Sequence, residues 1–348
     1  MLISVKNRAL TAPIALAIAL TTLAGCGKKS SGPSAPAPEV TGLAAVPSSA
    51  EAVIGVDVGK LIDAPLVARV VDQLFLRDPT LATRWQDVHE ACKLDLGKQV
   101  KRVMLALGPH QTTPGTGPVL LIATGSFVET DIASCVRVIV GKGGGALTAK
   151  PLDGRTLYTA KEGNRVMVFA FGRPDTLILG SNEAYVIEAL SLTGKKLSDD
   201  PDMKKWLGMV DQNTPLWGVG RVDARVSAGL VKQVSGLKQG PRALVGTLDP
   251  STGAKVDLSV VMPSAEEAKH LESFTKNQIG QFGAAAQMVK LGGVVNKIDA
   301  RAVGDAVRLS VTLTVDDLNQ LLSVLDEGSA PKQDATPPAE SSSNRPNK

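Results

Sequence analysis

The chain has 348 residues, with hydrophobic residues at 43% and charged residues at 21%, so it can bury a sizeable core and is not of disordered composition. Its 38 Lys and Arg against 34 Asp and Glu leave a formal charge of +4, falling to +2 once Lys6 and Arg8 near the N-terminus are set aside, which argues against a nucleic-acid partner. Aromatics are only 3%, too few for a base-stacking platform or a sugar-binding stripe.

Residues 1–25 have the three-part layout of a secretory signal: basic Lys6 and Arg8, the apolar stretch "ALTAPIALAIALTT", then small residues before Cys26. A transmembrane helix is the competing interpretation. Against it, the apolar run is broken by Pro13, is short for a span and has no stop-transfer flank. Leu23, Ala24, Gly25 and Cys26 resemble the lipobox of bacterial lipoproteins. That resemblance implies diacylglycerol on the Cys26 thiol, cleavage before Cys26 and, in many bacteria, acylation such as palmitoylation of the freed amine. Cysteine suits the step because a soft thiolate is alkylated to a stable thioether. At about 0.8 kcal/mol per buried methylene, two or three chains anchor a protein without any membrane-spanning helix. By resemblance to lipoprotein sorting rules, Gly27 after the cysteine favours the outer membrane over the cytoplasmic membrane.

After Cys26, "GKKSSGPSAPAPEV" lacks apolar periodicity and predicts a disordered tether over 26–42 with an end-to-end distance of roughly 20 Å. Lys28 and Lys29 either approach anionic headgroups or simply keep the segment soluble. In the body, "EAVIGVDV" predicts a strand, and "APLVARVVDQLFL" a helix with Leu66, Val70, Val71 and Leu74 on one face. "QVKRVMLALG" and "GPVLLIATG" predict two strands, and "ETDIASCVRVIVG" a helix with Ile132, Val136, Ile139 and Val140 inward. "RTLYTA", "NRVMVFAFG" and "DTLILGS" predict three strands before the helix "NEAYVIEALSL".

The second half repeats the order. "TPLWGVGRV" sets Gly218 and Val219 where Gly55 and Val56 stand, and "AGLVKQVSGL" follows as a helix. A hairpin spans "PRALVGTLDPSTGAKVDLSVVM", and the next helix opens on a capping-box pattern from Ser264 to Glu267. "AVRLSVTLTVDDLNQLLSVL" closes with a strand and a helix, before a disordered tail over 327–348. The expected fold is α+β, with mixed, largely antiparallel sheets and packed helices, and two similar halves (43–197 and 198–326) from an internal duplication. The element order and the phrase "VPSSAEAVIGVDVGKL" resemble uncharacterised bacterial envelope lipoproteins, a group that implies no catalytic motif.

With Cys26 engaged, Cys92 and Cys135 remain as an even pair in an exported chain, and a disulfide between them is expected; two buried thiols are the alternative. Motifs of chemistry are incomplete. "VGKGGG" (140–145) lacks the phosphate-loop order, "NKID" (296–299) reads as a chance match within a strand, and "HEACK" from His89 lacks a second histidine. His89, His110 and His270 are widely spaced, and neither Ser126 nor Ser181 stands in a nucleophile elbow. Asp200 and Asp202, like Asp316 and Asp317, read as helix starts. Trp85, Trp206 and Trp217 read as core or boundary residues. No catalytic residue, metal site or cofactor is assigned. The expected function is a lipid-anchored, non-enzymatic envelope module that touches the membrane through Cys26 and binds an envelope protein or an apolar ligand. A hydrolase with an unrecognised site and a lipid or lipoprotein carrier are the alternatives.

Overall fold

Apolar runs of five to nine residues separated by turn residues form strands here, and amphipathic stretches between them form helices. The computed structural model describes residues 40–92, 95–109, 117–288 and 291–329. The predicted signal peptide, Cys26, His110 and most of the predicted tether and tail lie outside them. Val40 is already buried, its N–H donating to the Gly172 carbonyl at 3.0 Å, and a 3-10 turn follows at Gly42–Ala45.

The first half contains β1 (Ala52–Asp57), α1 (Val58–Leu61), α2 (Pro65–Arg77), α3 (Pro79–Cys92), α4 (Leu96–Gln99), β2 (Val100–Leu107), β3 (Val119–Gly125), α5 (Glu129–Lys142), β4 (Ala146–Leu152), β5 (Arg155–Glu162), β6 (Arg165–Arg173), β7 (Thr176–Gly180) and α6 (Glu183–Leu190). The second contains α7 (Pro201–Leu207), β8 (Leu216–Arg221), α8 (Ala224–Gln233), β9 (Ala243–Asp249), β10 (Ala254–Val261), α9 (Ala265–Met288), α10 (Gly292–Val295), β11 (Asp299–Val303), β12 (Ala306–Leu313) and α11 (Val315–Ser329).

The fold is α+β, as the element order predicts. All strands join one 12-stranded sheet in the order β11-β12-β10-β9-β8-β1-β2-β3-β7-β6-β5-β4, and every pairing is antiparallel, so there is one sheet rather than several and nothing mixed about it. Read outward from the middle, β1-β2-β3-β7-β6 and β8-β9-β10-β12-β11 follow the same order. The two halves meet where β1 pairs with β8, with Ile54 opposite Gly218 and Gly55 opposite Trp217.

Side chains alternate across a strand, so the register assigns each to one of two faces. On one face lies the largest core, where Val53, Ala106, Leu120, Ile122, Trp217, Val219 and Val245 are covered by α6 and α7 through Tyr185, Val186, Met203, Trp206 and Leu207. The caps that place these helices are legible in the sequence. Asp200 is the N-cap of α7 and accepts from the Met203 N–H at 2.9 Å, with Pro201 at the first helical position. Asn182 caps α6 in the same way.

Smaller clusters occupy the two ends of the other face. Over β5 to β7, Phe169 and Phe171 pack under Ile132 of α5. Over β10 to β12, Val307 packs with Ala268 and Leu271 of α9, and Ala254 and Leu313 with Val294 and Leu318. At the start of α9, the Ser264 hydroxyl accepts from the Glu267 N–H as the capping pattern predicts, while the Glu267 carboxylate accepts from the Lys238 N–H.

Helix α2 forms where expected, but its apolar face is not a core face. Only Leu66 joins a cluster, and Val70, Val71 and Leu74 are exposed. The Arg69 guanidinium donates to Asn319 of α11 at 2.9 Å. The sequence predicts neither α3 nor β4, one edge of the sheet; the strand predicted over 296–299 begins only at Asp299, as β11, the other edge.

Candidate functional site: an open apolar face in the middle of the sheet

Between the helix layers at the two ends, the side chains on the second face of the central strands are only partly buried among the described residues. Ala52, Ile54 and Val56 of β1 stand beside Val103, Leu105 and Leu107 of β2 and beside Leu216, Gly218 and Gly220 of β8. Leu244, Gly246 and Leu248 of β9 and Val119 and Leu121 of β3 extend the surface on either side. Every position is aliphatic or glycine, and none is buried; Leu107 is 36% and Leu244 45% exposed. Directly behind them on the same strands, Val53, Ala106 and Leu120 are fully buried. Each aliphatic side chain left without cover forgoes part of the roughly 1.5–3 kcal/mol that full burial contributes. A contiguous apolar surface rimmed by other elements is the usual mark of a binding site.

Two glycines distinguish the two faces. A Cβ on Gly55, on the buried face, would overlap the Trp217 ring, so glycine there is required by the protein's own packing. A Cβ on Gly218, on the open face, would meet only Ile54 Cγ1 at 3.6 Å and the Val53 carbonyl at 3.7 Å. Gly218 is paired directly with Gly246, so two adjacent strands lack side chains at the same level. Glycine inside a strand weakens it and is expected where something approaches the backbone.

At one end this surface runs into a cavity of about 490 Å³ lined by Ala52, Leu107, Val119, Val222 and Ala224, with Glu51, Arg221 and Asp223 also in its wall. Arg221 pairs with Asp200 at 2.7 Å and lies 5.3 Å from the centre of the Trp206 ring. The Met203 N–H, with Arg221 beside it, holds Asp200 below the ordinary carboxylate range. Arg242 pairs with Asp202 at 2.9 Å nearby.

The predicted pairing of Cys92 with Cys135 is present: the disulfide joins the end of α3 to α5, with Cα atoms 4.8 Å apart. It lies in the same cluster as Ile132 and Phe171, at the first-half end of the open face. Cys26 lies outside the described residues. His89 is on α3 and His270 on α9, and among the described residues no group of three or more His, Cys, Asp and Glu side chains converges as a metal site would. "NKID" straddles the end of α10 and the start of β11 rather than lying in a strand, and Lys297 is paired with Asp317. Trp206 and Trp217 are core residues, whereas Trp85 is half exposed, 6.1 Å from Phe75.

Lys196 is a group the sequence did not single out. Burial lowers its pKa, and its ammonium donates to the Glu188 and Ala189 carbonyls at 3.0 and 3.1 Å, closing the C-terminus of α6. The apolar face, too, has a trace in the sequence: "AVIGV", "MLAL" and "VLLIA" are apolar on both alternations. Such runs predict strands covered on both sides.

No protein-family model matches the sequence, and no curated protein matches it. Two solved structures are similar, crystal form I and crystal form III of TP0453, at 14% and 11% identity and TM-scores of 0.44 and 0.42. The alignments span 83% and 82% of this chain and 99% of each of those chains. Among the described residues, no helix is long and apolar enough to cross a membrane.

Proposed function

We propose that this is a lipid-anchored cell-envelope protein, held on the membrane through acylated Cys26, with the outer membrane favoured, whose body is a binding module for an apolar ligand. The observation that carries the binding part is the aliphatic, glycine-floored middle of the sheet, only partly buried on one face among the described residues, with Leu107 and Leu244 exposed, while Val53, Ala106 and Leu120 behind it are fully buried. Between an apolar ligand and an envelope protein as the guest, the floor favours the former. Its backbone hydrogen bonds are spent on neighbouring strands and its side chains present no polar group, so it has nothing to offer a hydrogen-bonding guest. The anchoring part rests on the Leu23 to Cys26 motif. The repeated strand order supports a body built as two similar halves by internal duplication.

Two measurements on the full-length chain test the two parts separately. Wild-type protein expressed in a bacterium should incorporate a palmitate analogue and fractionate with membranes, whereas Cys26→Ser should not be labelled. Labelling that persists in Cys26→Ser overturns the anchor. Both forms should brighten an environment-sensitive apolar dye, since the sheet face is common to them; absence of dye binding overturns the module.

A further inference from the structure

We infer that α2 is a lid: the helix swings about its two ends so that its apolar stripe, Val67, Val70, Val71 and Leu74, packs down on Ile54, Leu105 and Leu216 of the open face. The inference concerns two surfaces of this chain and goes beyond the binding module proposed above, to which it adds a gate.

The path of the chain carries α2 and α3 across that face. At the start of α2, Leu66 packs into the cluster that holds Leu248 and Val311, and the register places both on the open face: Leu248 stands opposite Leu216, and Val311 stands opposite Val256, itself opposite Leu248. At the end of α3, Cys92 packs into the cluster of Phe169 and Leu179, and Leu179 stands opposite Leu121 on the same face. Between β9 and β7 lie β8, β1, β2 and β3, so the two feet stand about 24 Å apart at about 4.8 Å per strand. The 13 residues of α2 alone run about 20 Å, enough to cover most of that span.

The two helices are held differently. The disulfide and the pairing of Asp87 with Lys142 at 2.7 Å tie α3 to α5, which makes α3 the fixed post. Helix α2 is held at its first turns, by Leu66 and by the Arg69 hydrogen bond to Asn319, and near its far end Phe75 lies 6.1 Å from Trp85 of α3. Its joint with α11 encloses a cavity of about 280 Å³ lined by Leu66, Arg69, Val315 and Leu318, so the joint is not close-packed and leaves room for the helix to tilt. Asp78, at φ −128° and ψ 86°, breaks the helix between α2 and α3 and supplies the second pivot.

The driving force is the removal of two apolar surfaces from water at once. Val70, Val71 and Leu74 are exposed on α2, and Ile54, Leu105 and Leu216 are only half buried on the sheet. Because both surfaces belong to one chain, bringing them together carries no cost of association between molecules. A guest on the face must displace the stripe to bind.

Carbene footprinting of the full-length chain, in which a photolysed diazirine labels side chains according to their exposure, reads the lid without any ligand. Val70 at 53% exposure is matched by Val303 at 56% on β11, and Leu74 at 49% by Leu192 at 56% after α6. With the open form at about 10% of molecules or less, Val70 and Leu74 should be labelled about tenfold less than these counterparts. Equal labelling within each pair overturns the inference. Val70→Asp combined with Leu74→Asp changes two exposed helix positions and should hold the lid up, raising the labelling of Ile54, Leu105 and Leu216 about tenfold while Val53, Ala106 and Leu120 stay unlabelled. Unchanged labelling of the floor in that variant overturns the inference too; if the variant also exposes Val53, Ala106 and Leu120, the wild-type comparison decides alone. Dye binding by the same samples reports the module separately: a face that closes but binds no dye removes the module and leaves the lid standing.

Discussion

The two faces of the central strands are made of nearly the same residue types and have opposite fates. Behind β1, β2 and β8 lie Val53, Ala106 and Val219, sealed by α6 and α7. In front lie Ile54 and Leu105, partly buried, and Leu107, exposed. The contrast teaches that aliphatic composition alone does not make a core. What makes one is a partner layer whose length and placement are set elsewhere in the chain. On the front face the partner layers are α5 at one end and α8 to α11 at the other, and α2 and α3 link them, α2 through Arg69 to Asn319 of α11 and α3 through the disulfide to α5.

The comparison is broken most severely by loosening what holds the end layers. The disulfide closes a sequence separation of 43 residues and fixes α3 to α5, so replacing Cys135 by serine should cost about 4 kcal/mol in the chain-entropy estimate. Urea unfolding of wild type and variant under non-reducing conditions checks this, and thiol titration of the denatured, unreduced wild type should find neither Cys92 nor Cys135 reactive.

Next come matched truncations on the two faces. Leu120→Ala, on the sealed face, should destabilise by about 3 kcal/mol, whereas Leu107→Ala, on the open face, should cost less than about 1 kcal/mol. Equal losses would mean that the open face is as well packed as the sealed one. The glycines give a smaller and oppositely signed pair. Gly55→Ala forces a methyl group into the Trp217 ring and should cost about 2 kcal/mol, while Gly218→Ala should stabilise by about 0.5 kcal/mol through the unfolded chain.

The smallest effects are those of pH, and they differ by location. On the sealed side, burial pushes the Tyr185 hydroxyl up to about 12. Its folded pKa is raised, so its contribution is complete below the unfolded value near 10 and is lost as pH rises toward 12. At the solvent-facing start of α11, the Lys297 ammonium, with the Thr314 N–H and hydroxyl, holds Asp317 down to about 2. That contribution is present above the unfolded value of 3.8 and is lost as pH falls through about 2. Thermal midpoints should show wild type losing stability relative to Tyr185→Phe as pH rises above about 10, and wild type converging with Asp317→Asn as pH falls toward about 2.

Most of the elements were legible in the sequence because they are periodic and buried on at least one side. The strands β1 to β3 carry continuous apolar runs and β5 to β10, with β12, apolar alternations, and α5, α6, α7 and α9 have either an inward stripe or a cap. The sheet's edges were the least legible strands: in β4, "ALTAKPL", most side chains face water and no two-residue pattern shows, while β11, "DARAV", alternates exposed and covered residues over only five positions. Pro151 is tolerated in β4 for the same reason, since an edge strand leaves some N–H groups without a partner strand. In α2 the stripe was legible and its meaning was not, because a 3.6-residue pattern records amphipathicity and not what lies opposite.

Most element types, the α+β class, the helix caps at Asp200 and Ser264, and the pairing of Cys92 with Cys135 can be read from the chain alone. All are local or combinatorial properties, decided by neighbours along the chain or by a count. Which face of β1, β2 and β8 is sealed depends on the fold, because "AVIGV" is equally apolar on both alternations. The fold also makes Gly55 leave room for the Trp217 ring, whereas a Cβ at Gly218 would make only ordinary contacts with Ile54 and Val53. Burial depends on whether a distant helix reaches a surface, and that distance is a property of the folded whole.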